Sequence, residues 1–498
     1  MLDTSIANVS LPHIAGNLSA GIDESTWVLT SYLVANAIIL PLSAWLSSLM
    51  GRKRYYMFSV AFFTMSSVLS GLAPSLAWLV VFRVMQGLGG GGLQPSEQSI
   101  LADTFPQEKL GMGMAIYGVA VVTAPIIGPT LGGWITDNFS WRWIFFINIP
   151  VGLLSLFLTS RLVEDPPYFE RRSVKDLHID YIGLSAIAIG LGCLQIMLDK
   201  GQREDWFQSH LIIALAVLSF SAIVFAIFWE LTRKDPMVDL HLLGERNFLL
   251  ANVLMFMLGF ILFGSTALLP LLLQTLLNYP ATTAGLVLSP GGLITMVCMP
   301  IVGFLLGKYQ ARWLIAWGLF ILSLSLVRMS HFDLNIDYRT ALMARLVQSA
   351  GLAFLFIPIN TVAYAFVSHT KHTQASGLIN LARNLGGGMG IAIATTILSR
   401  SAQINQAYLS AHITSANPAF VQAVHRLSRT LFYHGMPLAQ TLAVARGTIY
   451  GEMVRQSNMM GYLADFRFML YSCLISFFLV FLLKKVTPHK GEIAMHEM

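Results

Sequence analysis

The chain has 498 residues, of which 31 are Lys or Arg and 25 are Asp or Glu; charged residues therefore make up 11%, where an ordinary soluble domain carries about 25%. Apolar residues reach 55% and mean hydropathy is +0.66, more apolar surface than one water-soluble core can bury, so the solvent for most of the chain is lipid. The net charge of +6 is not gathered into a patch: the longest basic run is Arg52-Lys53-Arg54, which fits membrane topology and not nucleic acid.

A spanning helix needs about 20 mostly apolar residues. In chain order, such segments lie near 1–18, 26–49, 55–72, 76–102, 112–136 and 143–160, then near 181–198 and 210–231. Six more follow near 248–274, 283–306, 313–329, 340–367, 375–399 and 467–483, which makes fourteen. Gly and Pro inside several of them suit membrane helices, where neighbours satisfy the freed backbone groups. Cys193, Cys298 and Cys473 stand in separate apolar stretches, so neither a disulfide framework nor structural zinc is expected. The N-terminus lacks the basic, apolar and small-residue order of a removable signal peptide.

Basic residues set the orientation. One set of alternate loops holds 17 Lys and Arg, among them Arg52, Lys53, Arg54, Lys308, Arg312 and Lys371, against five on the opposite short loops and helix edges. Both termini are therefore expected in the cytoplasm. Six more belong to the long outer segment before the last helix and its boundary, and Arg83, Arg345 and Arg383 fall inside predicted helices.

Landmarks recur in the same order along the chain. Arg83-Val84-Met85-Gln86-Gly87 returns as Arg345-Leu346-Val347-Gln348-Ser349, an offset of 262. Gly128, Pro129, Gly132 and Gly133 are matched by Gly386, Gly387, Gly388 and Gly390, and the Gly51 turn by Gly307 with Lys308 and Arg312. An internal repeat of this length implies an all-α polytopic protein of two six-helix halves with a substrate path between them. The expected division is 1–160 for the first half, 161–247 for a cytoplasmic linker and two inserted helices, and 248–498 for the second half with a long outer loop at 400–465.

Leu2-Asp3-Thr4-Ser5-Ile6-Ala7-Asn8-Val9-Ser10-Leu11-Pro12 resembles the helix 1 signature of fourteen-helix drug:proton antiporters of the EmrB/QacA type in the major facilitator superfamily. Arg83 to Gly91 resembles that family's helix 4 motif, and Ala124 to Gly133 its helix 5 antiporter motif. Trp141 to Pro150 and Leu194 to Asp199 are similar to the EmrB branch. The resemblance implies a leading segment ahead of the helix 1 signature. It also implies a multidrug exporter of amphipathic compounds in the bacterial inner membrane, driven by the proton gradient with no cofactor. The implied partners are a periplasmic adaptor and a TolC-like outer-membrane channel, for which the periplasmic loop 400–465 offers a docking platform or, on the plainer reading, a cap. The family's Asp and Arg ahead of the Gly51 turn are replaced by Ser48 and Leu49. Export of a physiological solute such as a fatty acid or siderophore, or a scaffold without transport, are the alternatives. No nucleophile, metal cluster or cofactor motif in recognisable context suggests an enzyme.

Three ionisable side chains are candidates for proton coupling. The counterpart of Asp3 in the family lies within the membrane and exchanges protons with substrate; from this sequence alone Asp3 is equally a wetted helix end. Arg83 sits roughly 10 Å below the outer end of its helix and Asp3 about 20 Å below that surface, so the two depths do not obviously meet. Arg83 faces a cavity or an acid, or else snorkels. Glu97, beside the kink expected at Pro95, either relays protons and binds cations or makes a structural hydrogen bond. Gly128, Pro129, Gly132 and Gly133 offer a small face for tight helix contact. Substrate contacts are sought in polar residues sharing a helical face: Tyr32 with Asn36, Asn360 with Tyr364, Asn380 with Arg383, and Gln94.

Overall fold

The structure, a computed structural model, describes residues 2–105, 110–165, 180–233 and 236–485. The chain begins with α1 (Leu2–Asn17), a single turn α2 (Ile22–Ser25), α3 (Trp27–Met50), α4 (Arg52–Gly71), α5 (Leu76–Gly90) and α6 (Leu93–Thr104). It continues through α7 (Leu110–Asn138), α8 (Trp143–Phe146), α9 (Asn148–Leu162), α10 (Tyr181–Lys200) and α11 (His210–Thr232). The remainder comprises α12 (Arg246–Thr275), α13 (Ala281–Leu306), α14 (Ala311–Met329), α15 (Tyr338–Tyr364), α16 (His372–Ser410), α17 (Pro418–Tyr433) and α18 (Leu438–Val480). Every segment predicted to span carries helix. Among the described residues ten helices are long and apolar enough to cross a membrane; the predicted spans in α1, α4, α7 and α16 fall outside that set.

Local chemistry sets the boundaries. Asp180, Glu245, Asp337 and Asn417 each accept a hydrogen bond from a first-turn backbone N–H of α10, α12, α15 and α17, and Pro418 starts α17. Gly51, at φ 86°, ends α3 and starts α4. The fourth predicted helix breaks between Gly90 and Leu93, four residues ahead of Pro95 at Gly91, because a proline removes the bond to, and crowds, the carbonyl four residues back. Two predicted ends are too short. α16 runs on to Ser410 and α18 starts at Leu438, so most of the segment expected as the outer loop 400–465 is long helix continuous with the predicted spans, with α17 packed on α18.

The repeat is visible in the packing. α1 lies on α7 through Gly128 and Gly132, where a Cβ would stand 2.5 Å from Ser5 Cβ and 2.9 Å from the Ile6 carbonyl. α12 lies on α16 through Gly386 and Gly390, 258 residues further on, where a Cβ would collide with the carbonyls of Phe256 and Phe260. The sequence pattern groups Gly133 with its neighbours, but its nearest contact is 3.9 Å away, so it has room. Of Pro129 only the backbone, inside α7, is described. α10 and α11 form a hairpin, with α10 resting on α3 and α16 where the halves meet and α11 turning Phe220 and Phe228 outward. All helices run between two ends, one marked by Arg52, Asp103 and Lys371, the other by Asn17, Ala73 and Arg142.

Candidate functional site

Arg83 on α5 is completely buried. Its Nε donates to the Val28 carbonyl at 2.9 Å, and one terminal nitrogen donates to Asp3 Oδ2 at 2.6 Å and to Gln86 Oε1 at 2.8 Å. The guanidinium carbon stands 4.3 Å from the centre of the Tyr32 ring, with Phe145 at 5.6 Å. Asp3, also buried, accepts further bonds from Gln86 Nε2 at 3.1 Å and Asn148 Nδ2 at 2.9 Å. Asn148 donates as well to Ser67 Oγ, whose hydroxyl donates to the Phe145 carbonyl. Residues of α1, α3, α4, α5, α8 and α9 thus close on one carboxylate, which receives three donors in a water-poor interior where such bonds are strong.

The depths that fail to meet on a count of helical rise do meet in space. Arg142 donates to Asn17 Oδ1 at 3.0 Å and to the Ala73 carbonyl at 3.3 Å, which levels the end of α1 with a point three residues before α5 begins. Arg83 lies ten residues beyond Ala73, and its long side chain spans the remaining distance to Asp3.

A second polar array joins the two halves. Gln94 Oε1 on α6 accepts from Arg383 on α16 at 2.6 Å. Gln98 accepts from Asn380 at 2.6 Å and from the Tyr364 hydroxyl at 3.4 Å, and donates to Asn360 Oδ1 at 3.4 Å. Ser99 meets Thr373 at 2.9 Å, and Asp103 both ion-pairs with Arg52 and meets His372 at 3.0 Å. Lys371 continues the line to Asp239 at 2.5 Å. Burial works against the charged form of Asp239, but Lys371 and the hydrogen bonds it receives hold the carboxyl below its ordinary range. Five residues sought as substrate contacts, Gln94, Asn360, Tyr364, Asn380 and Arg383, thus meet in a closed seam at the Arg52 end, where Asn380 Oδ1, Arg383 Nε and one terminal nitrogen of Arg383 are left without a hydrogen-bond partner.

The other expected contacts lie elsewhere. Tyr32 is buried beneath Arg83, and with Asn36 it packs on the backbone of α5 around Gly90, so the pair belongs to the ion-pair site. Glu97 accepts from the Tyr56 hydroxyl at 3.2 Å, beside Ser155, between α4, α6 and α9, and is near enough to Tyr117 on α7 to act on it electrostatically. That contact with Tyr56 is the structural hydrogen bond that was one of the two expectations for Glu97. Asn148, Gln98, Asp103 and His372 take part without having been singled out from the sequence. Asn148 lies inside the Trp141 to Pro150 motif, and the other three become meaningful only once α6 and α16 are placed together.

A doubled helical bundle with a buried ion pair in one half and a polar seam between halves is the architecture of a secondary transporter. Residues 1–391 match the family model of the Major Facilitator Superfamily, and the chain belongs to that family. It is 37% identical over 432 residues to the multidrug export protein EmrB of Haemophilus influenzae, covering 86% of this chain and 84% of the relative. It is 36% identical over 450 residues to the fatty acid resistance protein FarB of Neisseria gonorrhoeae, covering 90% and 87%. Among solved structures, the human organic anion transporter MFSD10 superposes with a TM-score of 0.60 over 96% of both chains at 14% identity, a likeness of fold.

Proposed function

We propose that this protein is a proton-coupled exporter of amphipathic toxic compounds, crossing the bacterial inner membrane fourteen times with both termini in the cytoplasm. The halves 1–160 and 248–498 rock about the seam, and 161–247 supplies the linker and inserted pair. The Arg52 end is then cytoplasmic, and the conformation described has that side shut. The observation that carries the reading is the Asp3–Arg83 pair, an ionisable couple on α1 and α5 buried in the membrane and tied to the four surrounding elements α3, α4, α8 and α9.

The coupling runs as follows. Protonation of Asp3 cancels its attraction to Arg83 while the Arg83 bonds to Val28 and Gln86 persist, so α1 loosens from α5 and α9. Because α1 is keyed into α7 at Gly128 and Gly132, and α7 packs along α13 of the other half, the change reaches the inter-half surface. An inward proton yields about 2.3 kcal/mol per 100 mV, a shift of about fiftyfold in the ratio of two states. Export of drugs is supported by the similarity to EmrB and export of fatty acids by the similarity to FarB. Docking of a periplasmic adaptor and a TolC-like duct on the projecting α16 to α18 segment belongs to the same proposal.

In vesicles carrying an imposed pH gradient, Asp3→Asn is expected to retain drug binding but lose uphill extrusion by about tenfold or more, the loss of an interaction of about 1.4 kcal/mol or greater. Extrusion by Asp3→Asn at the wild-type rate, or extrusion by wild type that survives collapse of both pH and voltage gradients, removes proton coupling.

A further inference from the structure

The two halves repeat each other closely enough for their differences to be informative. Arg345 donates to Gln348 Oε1 at 2.5 Å just as Arg83 donates to Gln86. In the first half the next partner of the arginine is Asp3 on α1. In the second half the same place, 263 residues on, is held by Thr266 on α12, which offers Arg345 only a hydroxyl at 3.2 Å.

Nothing else takes over the missing charge. Arg345 is fully buried, forms no ion pair among the described residues, and has no partner at Nε. Among the described residues no aromatic ring covers it as Tyr32 covers Arg83. Asp465, a buried acid on α18 of the same half, has no hydrogen-bond partner on either oxygen and so does not compensate it. Two neighbours of Arg345 are likewise unused donors: Gln348 Nε2 and the Ser349 hydroxyl, both buried without partners. The Ser349 hydroxyl and Arg345 Nε converge on α13, where a Cβ on Gly291 would collide with the first and lie 3.5 Å from the second. Thr266 itself is partly exposed, the only one of these four side chains that is not buried.

A buried guanidinium without a counter-charge is among the most unfavourable arrangements in a protein, and one ringed by unspent donors is satisfied by an anion. The first half shows that the fold can place an acid at this position. Where it places Thr266 instead, the charge is left for something that comes and goes. We propose that Arg345, Gln348, Ser349 and Thr266 bind the carboxylate of an amphipathic organic acid carried as cargo. Guanidinium geometry matches the planar carboxylate, and the surrounding apolar helices suit its tail. The proposal rests on the export reading and narrows its cargo to include anions.

The test uses the purified full chain with dodecanoate as probe and dodecyltrimethylammonium as the cationic control of equal chain length. Thr266→Asp rebuilds in the second half the pair that the first half already folds around, so it adds a partner to Arg345 instead of removing one. It is expected to weaken dodecanoate affinity by about tenfold or more, Arg345→Gln to do the same, and Arg345→Lys to lose less. Binding of the cationic probe, which needs no guanidinium, reports that each variant is folded. Dodecanoate binding to Thr266→Asp as tightly as to wild type overturns the proposal, as does the absence of saturable dodecanoate binding to wild type. Competitive displacement of dodecanoate by chloride at far lower concentration assigns the site to an inorganic anion and overturns it too. Failure of the export reading is read separately, as cation extrusion by wild type that ignores the pH gradient.

Discussion

Adjacent glycines on α7 should respond oppositely to the same methyl group. At Gly132 a Cβ would stand 2.9 Å from both Ile6 Cγ2 and the Ile6 carbonyl and 3.0 Å from Ile6 Cα. Two of those atoms are backbone and cannot swing away, so Gly132→Ala must part α1 from α7 by roughly half an ångström or more to restore ordinary contact near 3.5 Å. Overpacking of this kind costs about 1–3 kcal/mol, only partly offset by the gain of up to about 1 kcal/mol when alanine replaces glycine in a helix. At Gly133 the nearest atom, Val9 Cγ1, is 3.9 Å away, so Gly133→Ala keeps the propensity gain without the clash. The midpoint of thermal unfolding in detergent, followed by tryptophan fluorescence, should fall for the first variant and hold or rise for the second. Because Ile6 is one turn from Asp3, Gly132→Ala should also lower gradient-driven extrusion. Equal loss of stability in both variants, or none in Gly132→Ala, would refute the assignment of the α1 contact to one face of α7.

Glu97→Gln keeps an acceptor for Tyr56 and removes no hydrogen bond of the seam, so efflux is expected within about twofold of wild type; a tenfold fall would place Glu97 in the mechanism. Gln98→Ala strips the acceptor shared by Asn380 and Tyr364, two bonds of about 1 kcal/mol each, and should raise the population with the seam open by about tenfold or more. An Ala102→Cys reporter on α6, buried in the closed form, should then react faster with a polar maleimide added from the Arg52 side, and an unchanged rate would show that the seam does not hold that side shut.

Much of the fold was legible because lipid simplifies the code: apolar runs of sufficient length mark helices whatever their neighbours are. The same rule misplaced the ends of α16 and α18, since apolarity stops at the edge of the hydrocarbon while backbone bonding continues beyond it. The site was legible residue by residue but not as an arrangement. Asp3 and Arg83 stand out as charges inside apolar segments, yet helical rise alone ignores the offset of the helix starts and the reach of an arginine side chain. Glu97 stands out for the same reason as Asp3, and a single residue step of about 100° turns it from the Gln98 face to the Tyr56 cleft. The seam depends on contacts between residues more than 250 positions apart, for which no local pattern exists.

On the proposed coupling, the repeat accounts for one half carrying the proton and the other not. Duplicated halves with identical charge would respond alike to protonation, and a symmetric response gives no preferred order of proton and cargo. Here the arginine and glutamine are kept in both copies, while the acid is present at Asp3 and absent at Thr266. Neutralising Asp3 therefore changes the contacts of α1 alone, and its mate α12 remains fixed on α16 through Gly386 and Gly390. On that proposal, one helix that loosens against a mate that does not, across the α7 and α13 contact, converts a local change of charge into a relative motion of the halves. The anion site proposed at Arg345 gives the other half a different task, that of recognising what is carried.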